Sequence, residues 1–172
     1  MTFSIYDASA PLFVNGLADM RQWLDKAAAE KPEAELLAAR LAPDMLPLTA
    51  QYQIASDSAK NAIARLCGIE PPAMPDTEAS FAELKERCDK TIAFVQGASR
   101  EAVEAGEHRE VTLRFPGGIG FKFTGRDYLT GFALPNFFFH VTTAYGILRA
   151  SGVAMGKPDF MQHLGPPNLS AE

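Results

Sequence analysis

Residues 124–153, TGRDYLTGFALPNFFFHVTTAYGILRASGV, carry an apolar girdle too wide for a helix that packs on one side only. At about 100° per residue, His140 shares a narrow stripe with Leu129, Ala133, Asn136, Ala144 and Ile147, next to an arc of Phe137, Val141 and Leu148. Only Thr142 and Arg126 mark directions tolerant of water. Such a helix must be enclosed by others, so the chain is expected to be an all-α bundle with this segment, about 125–150, as its last long helix. A buried imidazole on that helix needs a partner, because an unpaired buried polar group costs about 1–3 kcal/mol. The partners expected for His140 are Asn136, Thr143, Tyr145 or a backbone carbonyl.

Three further blocks repeat the helical period. Leu12, Phe13, Leu17, Met20, Leu24 and Ala27 lie on one face of a first helix, about 4–29, with Pro11 in its opening turn. Trp23 extends that face or meets another subunit. Leu48, Tyr52, Ala55, Ala59, Ala62, Ile63 and Leu66 form the stripe of a second, about 44–67, with Asp44 as N-cap, Pro47 in the first turn and Gly68 as its stop. Between them Gln51, Gln53 and Asp57 face either water or an internal pocket. A third helix, about 77–97, is capped by Asp76 or Thr77 and turns Phe81, Leu84, Cys88, Ile92 and Val95 inward. Prolines in EKPEAELLAARLAPD and IEPPAMPD break the chain between these blocks, and the charged segment EAVEAGEHRE leaves His108 in an exposed loop.

Period-two alternation occurs once, in VTLRF and GFKF around Pro116, Gly117 and Gly118, which predicts a hairpin at about 110–124. A two-stranded hairpin is marginal alone and must pack on the bundle or on a partner chain. Thr124 then caps the last helix, with Asp127 at the capping-box position. Pro135 lies inside that helix and presses on the carbonyl of Gly131, so the helix is expected to bend there, or to break and restart near Pro135. After Gly152 the tail reads as irregular, with His163 as a surface or packing residue. One domain of 172 residues buries a sizeable core without disulfide or metal staples.

Composition excludes several functions. A net charge of −5 with no basic block argues against nucleic acid and against an acidic membrane surface. No apolar run approaches the roughly 20 residues of a membrane span, and MTFSIYDASAPLF has neither the charged nor the apolar region of a secretory signal, so a cytoplasmic protein is expected. Cys67 and Cys88 stand in no CxxC or Cys/His spacing and read as buried small hydrophobes. The glycines of PGGIG lack the Lys and Ser/Thr of a phosphate loop, and no GxSxG elbow occurs.

The helical blocks with a kinked, His-bearing last helix resemble the DinB/YfiT-like superfamily of bundles, many of them metalloenzymes. The segments YDASAPLFVNGL, RLAPDMLPLTAQYQIASDSAKNAIARLCG, DTEASFAELKERCDKTIAF and LPNFFFHVTTAYGILRASGVAMGKPDF resemble the bacterial and fungal family DUF1993. The resemblance implies an up-down-down-up four-helix bundle. It also implies a metal site built from one histidine of the second long helix and an HxxxH pair on the fourth, whose two imidazoles one turn apart share a helix face. In this chain His140 matches the first histidine of the pair and Gly146 the trailing glycine, but Ala144 stands at the second and Gln53 at the position on the second helix.

A methyl and a carboxamide do not replace imidazoles around a transition metal. The expectation is therefore no cofactor and a metal-free pocket of Gln53, Asp57, Asn136, His140 and Tyr145 that takes a small molecule. The alternative is a transferase or hydrolase that uses His140 as a general base, or a relocated divalent metal on His140 with Asp57 or Asn136. The aromatics Trp23, Phe138 and Phe139 suggest a homodimer.

Overall fold

A computed structural model describes residues 4–166 and 168. The described elements are α1 (Ala10–Glu30), α2 (Glu33–Ala38), α3 (Leu48–Cys67), α4 (Phe81–Gly97), α5 (Arg100–Glu104), β1 (Glu110–Arg114), β2 (Gly120–Thr124), α6 (Gly125–Tyr128), α7 (Leu134–Ala150) and α8 (Lys157–Phe160). A π-helical segment, Leu129–Ala133, joins α6 to α7, and a 3₁₀ turn, Gln162–Leu164, follows α8.

Side-chain pairs give the helix directions. Arg21 meets Asp89 and Asp25 meets Lys85, so α1 and α4 are antiparallel. Gln51 meets His140, Ser58 meets Asn136 and Arg65 meets Tyr128, which makes α3 antiparallel to the last helical run. Phe13 packs on Phe137 and Trp23 on Tyr145, so α1 and α7 are parallel. The order is thus up-down-down-up, with a crossover of residues 68–80 returning the chain from the end of α3 to the start of α4. The core fills the space between the four long helices with fully buried Phe13, Trp23, Tyr52, Leu66, Phe137 and Leu148.

Helix starts differ from the sequence expectations in an instructive way. Of the two starts the sequence offers, near Ser4 or near Ser9, the first helix takes the second: it begins at Ala10 with Ser9 at the N-cap position, although the Ser9 hydroxyl donates to the Ile5 carbonyl in a preceding turn instead of capping. The next long helix starts at Leu48 with Pro47 at the cap, while Asp44 stays in a turn ahead of it. The third starts at Phe81, where the Ser80 hydroxyl accepts from the Glu83 amide and the Glu83 carboxylate accepts from the Ala79 amide. That reciprocal pair outcompetes Asp76 and Thr77 as a start signal. Gly68 does end α3, in the left-handed conformation at φ +70.

The last helical run is interrupted at the place expected: the short α6 gives way to a π segment, and the main helix, α7, restarts at Leu134 beside Pro135. The π segment widens one turn, the Leu134 amide donating to the Leu129 carbonyl five residues back, and Pro135 falls in the first turn of α7, where its missing N–H costs nothing. The hairpin buries Val111 and Leu113 against the bundle and leaves Ile119 and Phe121 exposed. Its base is fixed by close backbone contact: a Cβ on Gly125 would lie 1.9 Å from the Gly106 carbonyl oxygen, so no other residue fits there.

The tail is more ordered than expected over the described residues. The Trp23 indole N–H donates to the Asp159 carbonyl at 2.9 Å, Lys26 pairs with the Asp159 carboxylate, and His163 contacts Asp19 at 3.1 Å. Trp23 is therefore internal to the chain, not a subunit contact, because α8 and Phe160 cover it. Residues 167 and 169–172 of the expected tail lie outside the described residues. No helix among the described residues is long and apolar enough to cross a membrane.

Candidate functional site

A polar seam runs along the contact of α3 with the last helical run, and it is set by helix geometry. Gln51, Ser58 and Arg65 recur at two-turn intervals on α3 and meet His140, Asn136 and Tyr128 in reverse order. At the first level the His140 Nδ1 lies 2.7 Å from the Gln51 Oε1, while the Gln51 amide nitrogen donates to the Leu46 carbonyl at 3.0 Å. Since that amide nitrogen is committed, the Gln51 oxygen accepts, the imidazole carries its proton on Nδ1, and Nε2 keeps its lone pair.

His140 is only 8% exposed, and burial lowers its pKa below the ordinary histidine range. The imidazole is therefore neutral at pH 7. A histidine whose folded-state pKa is depressed contributes stability that is complete above the unfolded-state value, about 6.5, and is lost as pH falls through the folded-state value. Urea denaturation of the wild type and of His140→Leu between pH 8 and 5 is expected to show a steeper loss of stability below about pH 6.5 in the wild type. Parallel curves would mean that His140 is solvated.

The partner of His140 is thus Gln51 from across the bundle, and not Asn136, Thr143 or Tyr145. The Thr143 hydroxyl donates to the Phe139 carbonyl, and Tyr145 packs edge-on against Trp23 and Phe160. Nor does Gln53 face His140. Two residues along a helix are about 200° around it, so Gln53 points toward the crossover, where its amide nitrogen donates to Glu78.

Asp57 is drawn the same way. Its carboxylate meets the guanidinium of Arg87 and the ammonium of Lys60, each at 2.9 Å. Arg87 is 2% exposed and also binds Asp76, Glu78 and the Pro75 carbonyl, so this cluster around one buried guanidinium ties α3, α4 and the crossover together. Burial alone would raise the Glu78 carboxyl, but hydrogen bonds from Gln53 and Arg87 hold it below its ordinary value.

The five residues expected to share one pocket are accordingly distributed over the bundle, and two of them meet at a cleft. Asp57 and Asn136 line a space of about 220 Å³ between α3, the hairpin and the π segment, together with Ser58, Asn61, Arg65 and Tyr128. Leu113, Phe115 and Phe132 form its apolar wall. Neither His140 nor Tyr145 lines it. A larger groove of about 690 Å³ runs between the crossover and α4, walled by Pro72, Met74, Pro75 and Phe94. Its most buried polar groups, Arg87 and Glu78, already bind each other, so the smaller cleft has more polar groups to offer a ligand. Arg65 belongs to that cleft and was not evident from sequence. Its position seven residues beyond Ser58 on α3 is the signal that places it there.

The metal implied by the superfamily meets a donor set that does not fit it. One turn beyond His140 stands the methyl of buried Ala144, the residue opposite is a carboxamide already bonded to the imidazole, and no three His, Cys, Asp or Glu side chains among the described residues gather to hold an ion. Cys88 offers no nucleophile, because burial pushes its thiol up to about 12.

An up-down-down-up bundle with a hairpin ahead of its last helix places this chain among DinB-like proteins. Residues 5–161 match the model of a domain of unknown function, DUF1993, and the chain belongs to that family. It is similar to the crystal structure of a DinB family member protein from Shewanella denitrificans, with 35% identity over 97% of this chain and 95% of that one and a TM-score of 0.83. No match was found among curated proteins.

Proposed function

We propose that this DinB-like protein is a metal-free bundle of the cytoplasm that binds a small organic molecule in the cleft between α3, the hairpin and the π segment. The observation that carries the reading is the fate of the superfamily's metal positions. His140 is committed to Gln51 and Ala144 offers no donor, whereas Asp57 and Asn136 open with Arg65 and Tyr128 onto a cleft with an apolar wall. A π segment on the cleft wall adds support, since such wide turns are frequent at functional sites. The test is a fragment screen by protein-observed NMR on untagged protein. Shifts gathered on Ser58, Asn61, Arg65, Phe132 and Asn136 are the expected result. Shifts confined to the groove at Phe94, or a stoichiometric metal that is lost in His140→Ala, would overturn it.

The second reading is a His140-dependent transferase or hydrolase. Gln51 favours it by fixing the tautomer that leaves Nε2 as a base; the 8% exposure of His140 opposes it, since substrate must reach that nitrogen. Pairing of two copies is compatible with either reading. Phe139, 56% exposed on α7, is the aromatic that supports it, while Phe138 packs on Phe137. Light scattering that gives a monomer mass at every concentration would remove the dimer.

A further inference from the structure

We propose that the cleft selects a small apolar carboxylate, an inference that rests on the cleft being the ligand site. Asp57, the one carboxylate on the lining, is paired with Lys60 and with Arg87, which also holds Asp76 and Glu78, so the positive charge of the cleft rests on Arg65 and Arg114. Arg65 and Arg114 also line the cleft, and among the described residues neither has an acidic group within 4.0 Å. Arg65 is positioned without being neutralised: its Nη1 donates to the Tyr128 hydroxyl at 2.9 Å, and its guanidinium carbon lies 5.5 Å from the centre of that ring. The cleft of a chain with net charge −5 is therefore locally cationic.

The neutral groups also lean toward donation. The Asn136 amide nitrogen donates to Ser58 at 2.7 Å, and the Ser58 hydroxyl is used up on the Ile54 carbonyl at 2.7 Å. The second amide proton of Asn136 and the remaining N–H groups of Arg65 are left for an acceptor. Two guanidinium forks suit a planar carboxylate, which they can grip in bidentate fashion. The opposite wall, Leu113, Phe115 and Phe132, suits a hydrocarbon or aromatic body and disfavours a fully hydrated dianion. The volume of about 220 Å³ limits that body to less than drug size.

The probes are benzoate, benzamide and inorganic phosphate, titrated against full-length protein and followed by ¹H–¹⁵N NMR including the arginine Nε–H signals. The expected result is that benzoate shifts the Arg65 and Arg114 side-chain signals and binds at least about tenfold more tightly than benzamide, the loss anticipated when a charge-assisted hydrogen bond becomes a neutral one. Arg65→Gln is expected to weaken benzoate by a similar factor. The exposed Arg114→Gln reports on the same preference without touching the Tyr128 contact, should Arg65→Gln disturb the fold. Equal binding of benzoate and benzamide at the cleft would overturn the carboxylate preference while leaving the small-molecule reading intact. Phosphate binding more tightly than benzoate would overturn the apolar class. No shift at the cleft with any probe would overturn both the inference and the reading beneath it.

Discussion

Arg87→Ala is expected to destabilise the protein by about 3 kcal/mol at pH 7, the lower end of the cost of breaking a buried ion pair. Arg87 is 2% exposed and holds Asp57, Asp76 and Glu78 at 2.8–2.9 Å. Removing it leaves Glu78, whose side chain is 11% exposed, without its cation; Asp57 and Asp76, at 36% and 59%, remain partly solvated, which keeps the loss from being larger. The pH dependence separates electrostatics from lost packing. The wild-type Glu78 pKa is depressed, so its contribution is present above the unfolded-state value and is lost as pH falls through the folded-state value. In the variant, burial acts on Glu78 without the Arg87 bond, and acid removes less. Urea midpoints at pH 7 and pH 4 should therefore show the gap between the two proteins narrowing on acidification, and a constant gap would mean that Arg87 acts mainly by filling space.

Trp23→Ala is expected to cost about 3–5 kcal/mol, the range for emptying a fully buried large aromatic site. Trp23 has no exposed surface, packs on Tyr145 and Phe160, and donates its indole N–H to the Asp159 carbonyl. The variant should also loosen α8 on α1, because that hydrogen bond and the Phe160 contact both go and only the Lys26–Asp159 and Asp19–His163 pairs remain. Hydrogen exchange read by mass spectrometry should show faster exchange over residues 153–164 than over α3. Uniform loosening would mean that the tail does not depend on Trp23.

Much of the fold could be read from periodicity, because helices in a bundle repeat their apolar residues on one face and the hairpin alternates in period two. Helix ends were harder. The Ser80–Glu83 box lay in the sequence beside two other plausible caps, and only the reciprocal bond to the Ala79 amide distinguishes it. At Pro135 the sequence showed the conflict but not its resolution, since a π turn leaves no residue signature of its own. The site was legible only in part. His140 stood out as a buried imidazole, yet matching the superfamily motif pointed to Gln53, whereas the stripe of Leu48, Tyr52 and Ala55 already placed Gln51 inward. Asp57 looked like a pocket acid because its partner Arg87 lies 30 residues away on another helix, and such pairings are not written in local spacing.

Gln51 holds His140 as a neutral imidazole, and we propose that the ring takes no metal. Histidine-selective long-range ¹H–¹⁵N NMR, recorded before and after one equivalent of zinc, tests it most directly. The expected spectrum is that of a neutral His140 ring with its proton on Nδ1, unchanged by zinc and altered in Gln51→Leu. A coordination shift of the His140 ring nitrogens on adding zinc would contradict it.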